Sequence, residues 1–219
     1  MSSVLGRAFK VGGASAPTHV KMMVHGMSGT GKTTFGAKAG DRVLVVCAER
    51  QAVLPIRDAN GNAEVVFVDT WADLQNLFRE INALSLAGRL PYDCIVLDSL
   101  TEMQRRLKDE LVERHEKMTT DDGTLTMKGW GILIDKSFNL VRAFRDIPCD
   151  FVCICLTAET ETEDGGRYFR PSVNGKKLPG DLSGLFNIVL FSFTSLKNRL
   201  EKEGWVDGSQ QFVMMSKGA

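Results

Sequence analysis

The chain of 219 residues balances 27 Lys and Arg against 27 Asp and Glu, for a formal net charge of zero, and is 43% hydrophobic and 25% charged. That is the composition of a folded domain able to bury a core without disulfide or metal staples, and it excludes a disordered chain. Charge neutrality also excludes a protein that holds nucleic acid by bulk charge, leaving room only for a local basic groove.

Residues 1–18 are rich in Gly, Ser and Ala, end in Ala16-Pro17, and read as a flexible N-terminal arm. A single domain is expected over 19–219. Residues 20–26 (VKMMVHG) are an apolar run of strand length that enters a Gly-rich turn, with a helix opening near Lys32. Residues 42–49 (RVLVVCAE) and 63–69 (AEVVFVD) are two further β-branched runs. Thr70 and Asp73 have capping-box spacing and open a helix to about Leu86, with Leu74, Leu77, Phe78, Ile81 and Leu84 on one face. The next strand is 93–98 (DCIVLD), followed by a helix with Leu100, Met103, Leu107 and Leu111 at helical spacing. Its Arg105, Arg106 and Lys108 read as part of a solvated charged face. Residues 119–131 break the pattern, and a second helix is expected from about 132 to 145. Three more apolar runs follow, at 151–157, 187–193 and 211–216. Strands alternating with helices point to an α/β fold with a mostly parallel sheet covered on both faces.

No apolar run is long enough for a membrane span, and the first residues lack the layout of a signal peptide. Cys47, Cys94, Cys149, Cys153 and Cys155 sit in apolar stretches without metal-ligand spacing, so they read as buried free thiols in a reducing cytoplasm.

Residues 26–33 (GMSGTGKT) fit G-x-x-x-x-G-K-[ST] with no mismatch. Glycines at such a turn let backbone N–H groups curl around phosphate oxygens, and the following helix directs its positive end at the same anion. Gly26, Met27, Ser28, Gly29, Thr30, Gly31, Lys32, Thr33 and Thr34 are therefore the expected nucleotide-binding set. Lys32 is expected on the β- and γ-phosphates, and Thr33 on Mg²⁺. Asp98, ending its strand, is the acid expected in the Mg²⁺ shell. Glu49 projects at the γ-phosphate if its strand lies beside the P-loop strand, where a carboxylate can polarise an attacking water. ATP and Mg²⁺ are the implied cofactors.

This combination resembles the RecA-like ATPase core, and more narrowly the compact phage-encoded single-strand-annealing recombinases, over residues 19–217. The P-loop, the Ala48-Glu49 strand end, Asp98-Ser99 and the KGWG run at 128–131 carry the resemblance. It implies Glu49 as catalytic base and Asp98 as the metal-shell acid. It makes Thr157 a polar sensor of the γ-phosphate, although RecA proteins carry glutamine there. Lys217 resembles a late-strand lysine that reaches a neighbouring subunit's ATP site. Phe9 in the arm resembles an aromatic that inserts into a neighbour when filaments form.

RecA-like recombinases also bind single-stranded DNA through two loops, which correspond here to 119–131 and 158–181. The first offers Lys128 and Trp130; the tryptophan reads equally as a core anchor. The second begins acidic, with Glu159, Glu161, Glu163 and Asp164. It then offers Arg167, Tyr168, Phe169, Arg170, Lys176 and Lys177, the mix of cations and aromatic faces that sequence-tolerant strand binding uses. Residues 162–170 also read as a β-hairpin with a Gly-Gly turn, in which the aromatics pack. The resemblance thus implies a DNA-stimulated ATPase that assembles on single-stranded DNA as a homo-oligomer, ring or filament, and promotes pairing or annealing. A single-strand-binding protein is a candidate working partner. No membrane is involved, and the expected location is the cytoplasm, the host's if the chain is phage-encoded. The alternatives are a small-molecule P-loop kinase and another RecA-like motor such as a hexameric helicase core. A GTP switch is disfavoured, since neither D-x-x-G nor N-K-x-D is found at the required places.

Overall fold

Runs of β-branched residues without polar alternation build a central sheet whose two faces are both covered. The structure, a computed structural model, describes residues 19–114, 116–161, 167–194 and 212–216. The arm with Phe9, the acids Glu163 and Asp164, and Lys217 lie outside the described residues.

In chain order the elements are β1 (Lys21–Gly26), α1 (Lys32–Ala37), β2 (Val43–Cys47), α2 (Val53–Ala59), β3 (Glu64–Phe67) and α3 (Trp71–Leu86). Then come β4 (Cys94–Asp98), α4 (Leu100–Arg114), α5 (Met127–Arg145), β5 (Asp150–Glu161), β6 (Arg167–Pro171), α6 (Leu178–Ser183), β7 (Ile188–Thr194) and β8 (Phe212–Ser216). The sheet order is β3-β2-β4-β5-β1-β7-β8, with β6 paired to β5. The pairings from β3 through to β7 are parallel, while β8 on β7 and β6 on β5 are antiparallel.

Successive strand residues point to opposite faces, and the core divides accordingly. Met23, Leu44, Val46, Ile95, Leu97, Phe151 and Cys153 pack under α3, α4 and α5. Val24, Val43, Val45, Val96, Val152 and Ile154 pack under α1 and α2. The helix stripes read from sequence are the ones buried: Leu74 and Ile81 on α3, and Leu100, Met103, Leu107 and Leu111 on α4. Thr70 and Asp73 form the capping box expected of them. All five thiols are buried and unpaired, and burial pushes those of Cys47 and Cys94 up to about 12, so they are poor nucleophiles. Among the described residues, no helix is long and apolar enough to cross a membrane.

Four expectations are corrected. β2 is not beside the P-loop strand; β4 and β5 lie between them, and β1 is flanked by β5 and β7. The second helix starts at Met127, not near 132, because Thr126 caps it by accepting from the Gly129 N–H. Lys128 and Trp130 therefore stand on its first turn rather than in a loop. The 158–181 segment is not one loop: β5 continues to Glu161, β6 returns antiparallel to it, and α6 follows. Thr157 accordingly lies within β5 rather than at its end, opposite Pro171. Residues 157–161 and 167–171 pair antiparallel, as a hairpin over 162–170 requires of its flanks, and the Gly-Gly turn itself lies outside the described residues.

Candidate functional site

β1 delivers its chain into the P-loop at Gly26, where a Cβ would stand 2.2 Å from the Ser192 carbonyl oxygen of β7. Only glycine allows that approach. Gly29 and Gly31 then take positive φ, at 77° and 78°. β7 secures the loop from the other side, with the Ser192 hydroxyl donating to the Thr30 carbonyl at 2.6 Å.

The loop wraps one wall of a cavity of about 350 Å³, lined by Ser28 to Thr34 of the loop and by Glu49, Asp98 and Ser99 from neighbouring strand ends. Lys32 is buried at 7% exposure, and its Nζ donates to the Met27 carbonyl at 2.6 Å. Burial lowers its pKa, and Asp98 opposes that shift. An ammonium held this way has only neutral acceptors at close range, so phosphate oxygens entering the cavity are better partners. Asp98 is likewise buried, at 8% exposure, and accepts from the Thr33 hydroxyl at 2.7 Å. Burial raises its pKa, and the Thr33 hydrogen bond partly offsets this.

The hydroxyl and carboxylate of Thr33 and Asp98 are a hard-oxygen pair beside the phosphate loop. Mg²⁺ takes one or two protein oxygens together with substrate phosphates and water, so these residues fit that ion. Among the described residues no group of three His, Cys, Asp or Glu is placed to hold a metal.

Glu49 reaches the cavity although β2 is two strands removed from β1. β2 and β4 are adjacent, and the Ala48 N–H donates to the Asp98 carbonyl at 3.0 Å, so both carboxylates issue from one corner of the sheet. Glu49 is half-buried and accepts from the Gln51 side chain at 2.6 Å. Gln51 also lines the cavity. It was not foreseen from sequence, where only its position two residues past Glu49 marked it.

Thr157 is not part of this cavity's lining, which takes Leu156 from β5 instead. Its hydroxyl lies 3.2 Å from His25 Nδ1 on the P-loop strand and donates to the Arg170 carbonyl at 3.1 Å on β6. It therefore joins the P-loop strand to the hairpin without contacting the phosphate cavity.

Of the residues expected to meet DNA, Phe169 stacks on Phe191 of β7 at 4.9 Å, so it packs. Tyr168, beside it, is 41% exposed. Arg170 is half-buried, with a buried Nε that has no hydrogen-bond partner among the described residues. Arg167 has its backbone in β6, and its side chain is outside the description. Lys176 and Lys177 are exposed just before α6, and Lys128 is exposed on α5. Trp130 is packed against the core under the Lys108 ammonium, 5.6 Å from the ring centroid, which is the core-anchor reading.

A family model described as an AAA domain matches residues 18–217. No curated protein matches the chain.

Proposed function

Because the chain belongs to the AAA domain family over residues 18–217, we propose that its P-loop ATPase domain hydrolyses ATP on single-stranded DNA and promotes strand annealing or homologous pairing. The observation carrying this reading is the β5–β6 hairpin. It rises from the strand that pairs with β1, is tied to the P-loop strand by His25 and Thr157, and exposes Tyr168 at the rim. Lys176 and Lys177, before α6, add two exposed cations later in the same segment of sequence. Stacking faces and scattered cations support binding that tolerates any sequence.

In the cavity, Lys32 meets the β- and γ-phosphate oxygens. Thr33 and Asp98 would hold Mg²⁺, which when bound would supply neutralisation of the phosphate charge. Glu49 accepts the proton of the water that attacks the γ-phosphorus, and Gln51 holds its carboxylate. Glu49→Gln should leave ATP-analogue affinity intact while turnover falls about 10²–10⁴-fold, the usual contribution of a general base. Undiminished turnover removes Glu49 from the mechanism. The DNA reading is tested by anisotropy of a labelled oligonucleotide. Binding should be steep in both salt and protein concentration, as expected of a few cations repeated by oligomerisation. Absence of binding, with the nucleotide present, contradicts it.

One observation favours a second reading, a small-molecule kinase. A polar cavity of about 540 Å³ adjoins the phosphate cavity at Ser28, Glu49 and Gln51, and has room for an acceptor. ATP-dependent phosphorylation of a metabolite without DNA would select that reading.

A further inference from the structure

Arg106 does not belong to a solvated helix face. From the second turn of α4 it spans the carboxyl ends of β2 and β3, and its guanidinium donates to the Ala48 carbonyl and the Asp69 carbonyl, each at 2.6 Å. Its nitrogens lie 3.7 Å from the Asp69 carboxylate and 3.8 Å from the Glu102 carboxylate one turn back. The side chain is only 26% exposed.

Ala48 is the residue before Glu49 and lies just past the end of β2 at Cys47. Its two ends are fixed separately. The Ala48 N–H is held by the Asp98 carbonyl of β4, and the Ala48 carbonyl by Arg106. The Ala48 carbonyl belongs to the peptide that enters Glu49, so a charged donor on it sets the direction in which the Glu49 side chain leaves. α4 itself starts two residues after Asp98, and its Thr101 hydroxyl accepts the Leu156 N–H of β5. The helix that carries Arg106 is thereby registered to both strands that border the metal-shell acid.

We propose that Arg106 is a positioning residue that aims Glu49 at the attacking water; the proposal rests on reading Glu49 as the general base. A guanidinium suits the task because its planar fork serves two carbonyls at once, whereas an ammonium is a point donor without that fixed geometry. A displacement of the base by about 1 Å is enough to cost about 100-fold in rate. Arg106 lines the adjoining cavity of about 540 Å³ and not the phosphate cavity itself, so nucleotide binding should be largely spared.

The test uses the full chain with Arg106→Gln and Arg106→Lys, each alone and combined with Glu49→Gln, and follows kcat, KM for ATP, affinity for a non-hydrolysable analogue, and thermal stability. Arg106→Gln should lower kcat about 10- to 100-fold with KM and analogue affinity within about twofold of wild type, and Arg106→Lys should fall between. In the Glu49→Gln background, adding Arg106→Gln should lower the rate no further. Wild-type turnover in Arg106→Gln overturns the proposal. So does an equal loss in both backgrounds, or a parallel loss of nucleotide affinity and stability, since either marks general support of the fold. If Glu49→Gln hydrolyses ATP at the wild-type rate, the reading of Glu49 fails and takes the proposal with it. A dead Glu49→Gln beside a fully active Arg106→Gln removes Arg106 alone.

Discussion

At the scale of single residues, the phosphate cavity holds a cation and an anion that folding alone does not favour. Asp98 is the clearer case. Burial penalises its carboxylate, and Glu49 adds to the penalty, so its pKa lies above the ordinary value of 3.8. A folded-state value above the unfolded one means that the folded protein prefers the protonated acid. The stability this gives is complete below the unfolded value and is lost as pH rises through the raised folded value. Above the unfolded value, an acid buried at this position is therefore a cost to the folded protein. Asp98→Asn should raise Tm at about pH 7 by about 2–4 °C for each kcal/mol relieved, and the advantage should vanish toward about pH 3. ATP turnover should collapse in the same variant. Thermal melts across that pH range check this, and a lower Tm for the variant near neutrality contradicts it.

At the scale of elements, the β5–β6 hairpin puts two neighbouring aromatics to different uses. Phe169 is stacked on Phe191, which itself stacks on Phe193 at 5.7 Å, so its ring belongs to the packing between the hairpin and β7. Tyr168 points the other way along the strand's two-residue alternation and is 41% exposed. Tyr168→Ala should weaken binding of single-stranded DNA by about 1–3 kcal/mol, the worth of one stacked base, with little change in Tm. Phe169→Ala should instead lower Tm, with any DNA effect following from the loss of structure. Anisotropy and thermal melts on the two variants separate these outcomes. Equal DNA affinity for Tyr168→Ala and wild type would move the binding surface elsewhere.

The same elements show what could be read from sequence. The P-loop was legible because its chemistry is contiguous, and Asp98 because it ends an apolar run. Glu49 was legible as a strand-end carboxylate, but the strand order behind it was not. β2 reaches the site through β4, and such pairing between distant segments leaves no local mark. The early start of α5 was obscured because Gly129 and Gly131 resemble a break, whereas Gly129 is buried 2.8 Å, at its would-be Cβ, from the Met118 carbonyl. Arg106 was hidden in the basic cluster Arg105, Arg106 and Lys108 of α4. Only the placement of Ala48 and Asp69 distinguishes it from Arg105, which is more exposed and pairs with Glu102 on its own helix.

At the scale of the whole molecule, the P-loop ATPase fold and the zero net charge set the terms. A neutral protein gains little from long-range attraction to a polyanion, so a lone subunit should hold DNA weakly through a few rim residues. Repetition in the proposed oligomer would multiply those contacts. The hairpin is joined to the P-loop strand by His25 and Thr157, so on the proposed function a strand bound there would bias the phosphate cavity. On the proposed function the hairpin and the phosphate cavity act together. This is tested most directly by the steady-state rate of ATP hydrolysis as single-stranded DNA is titrated in, with Lys32→Ala as the control. The wild-type rate should climb with DNA to a plateau, and the control should show no hydrolysis at any DNA concentration. A wild-type rate indifferent to DNA would contradict it.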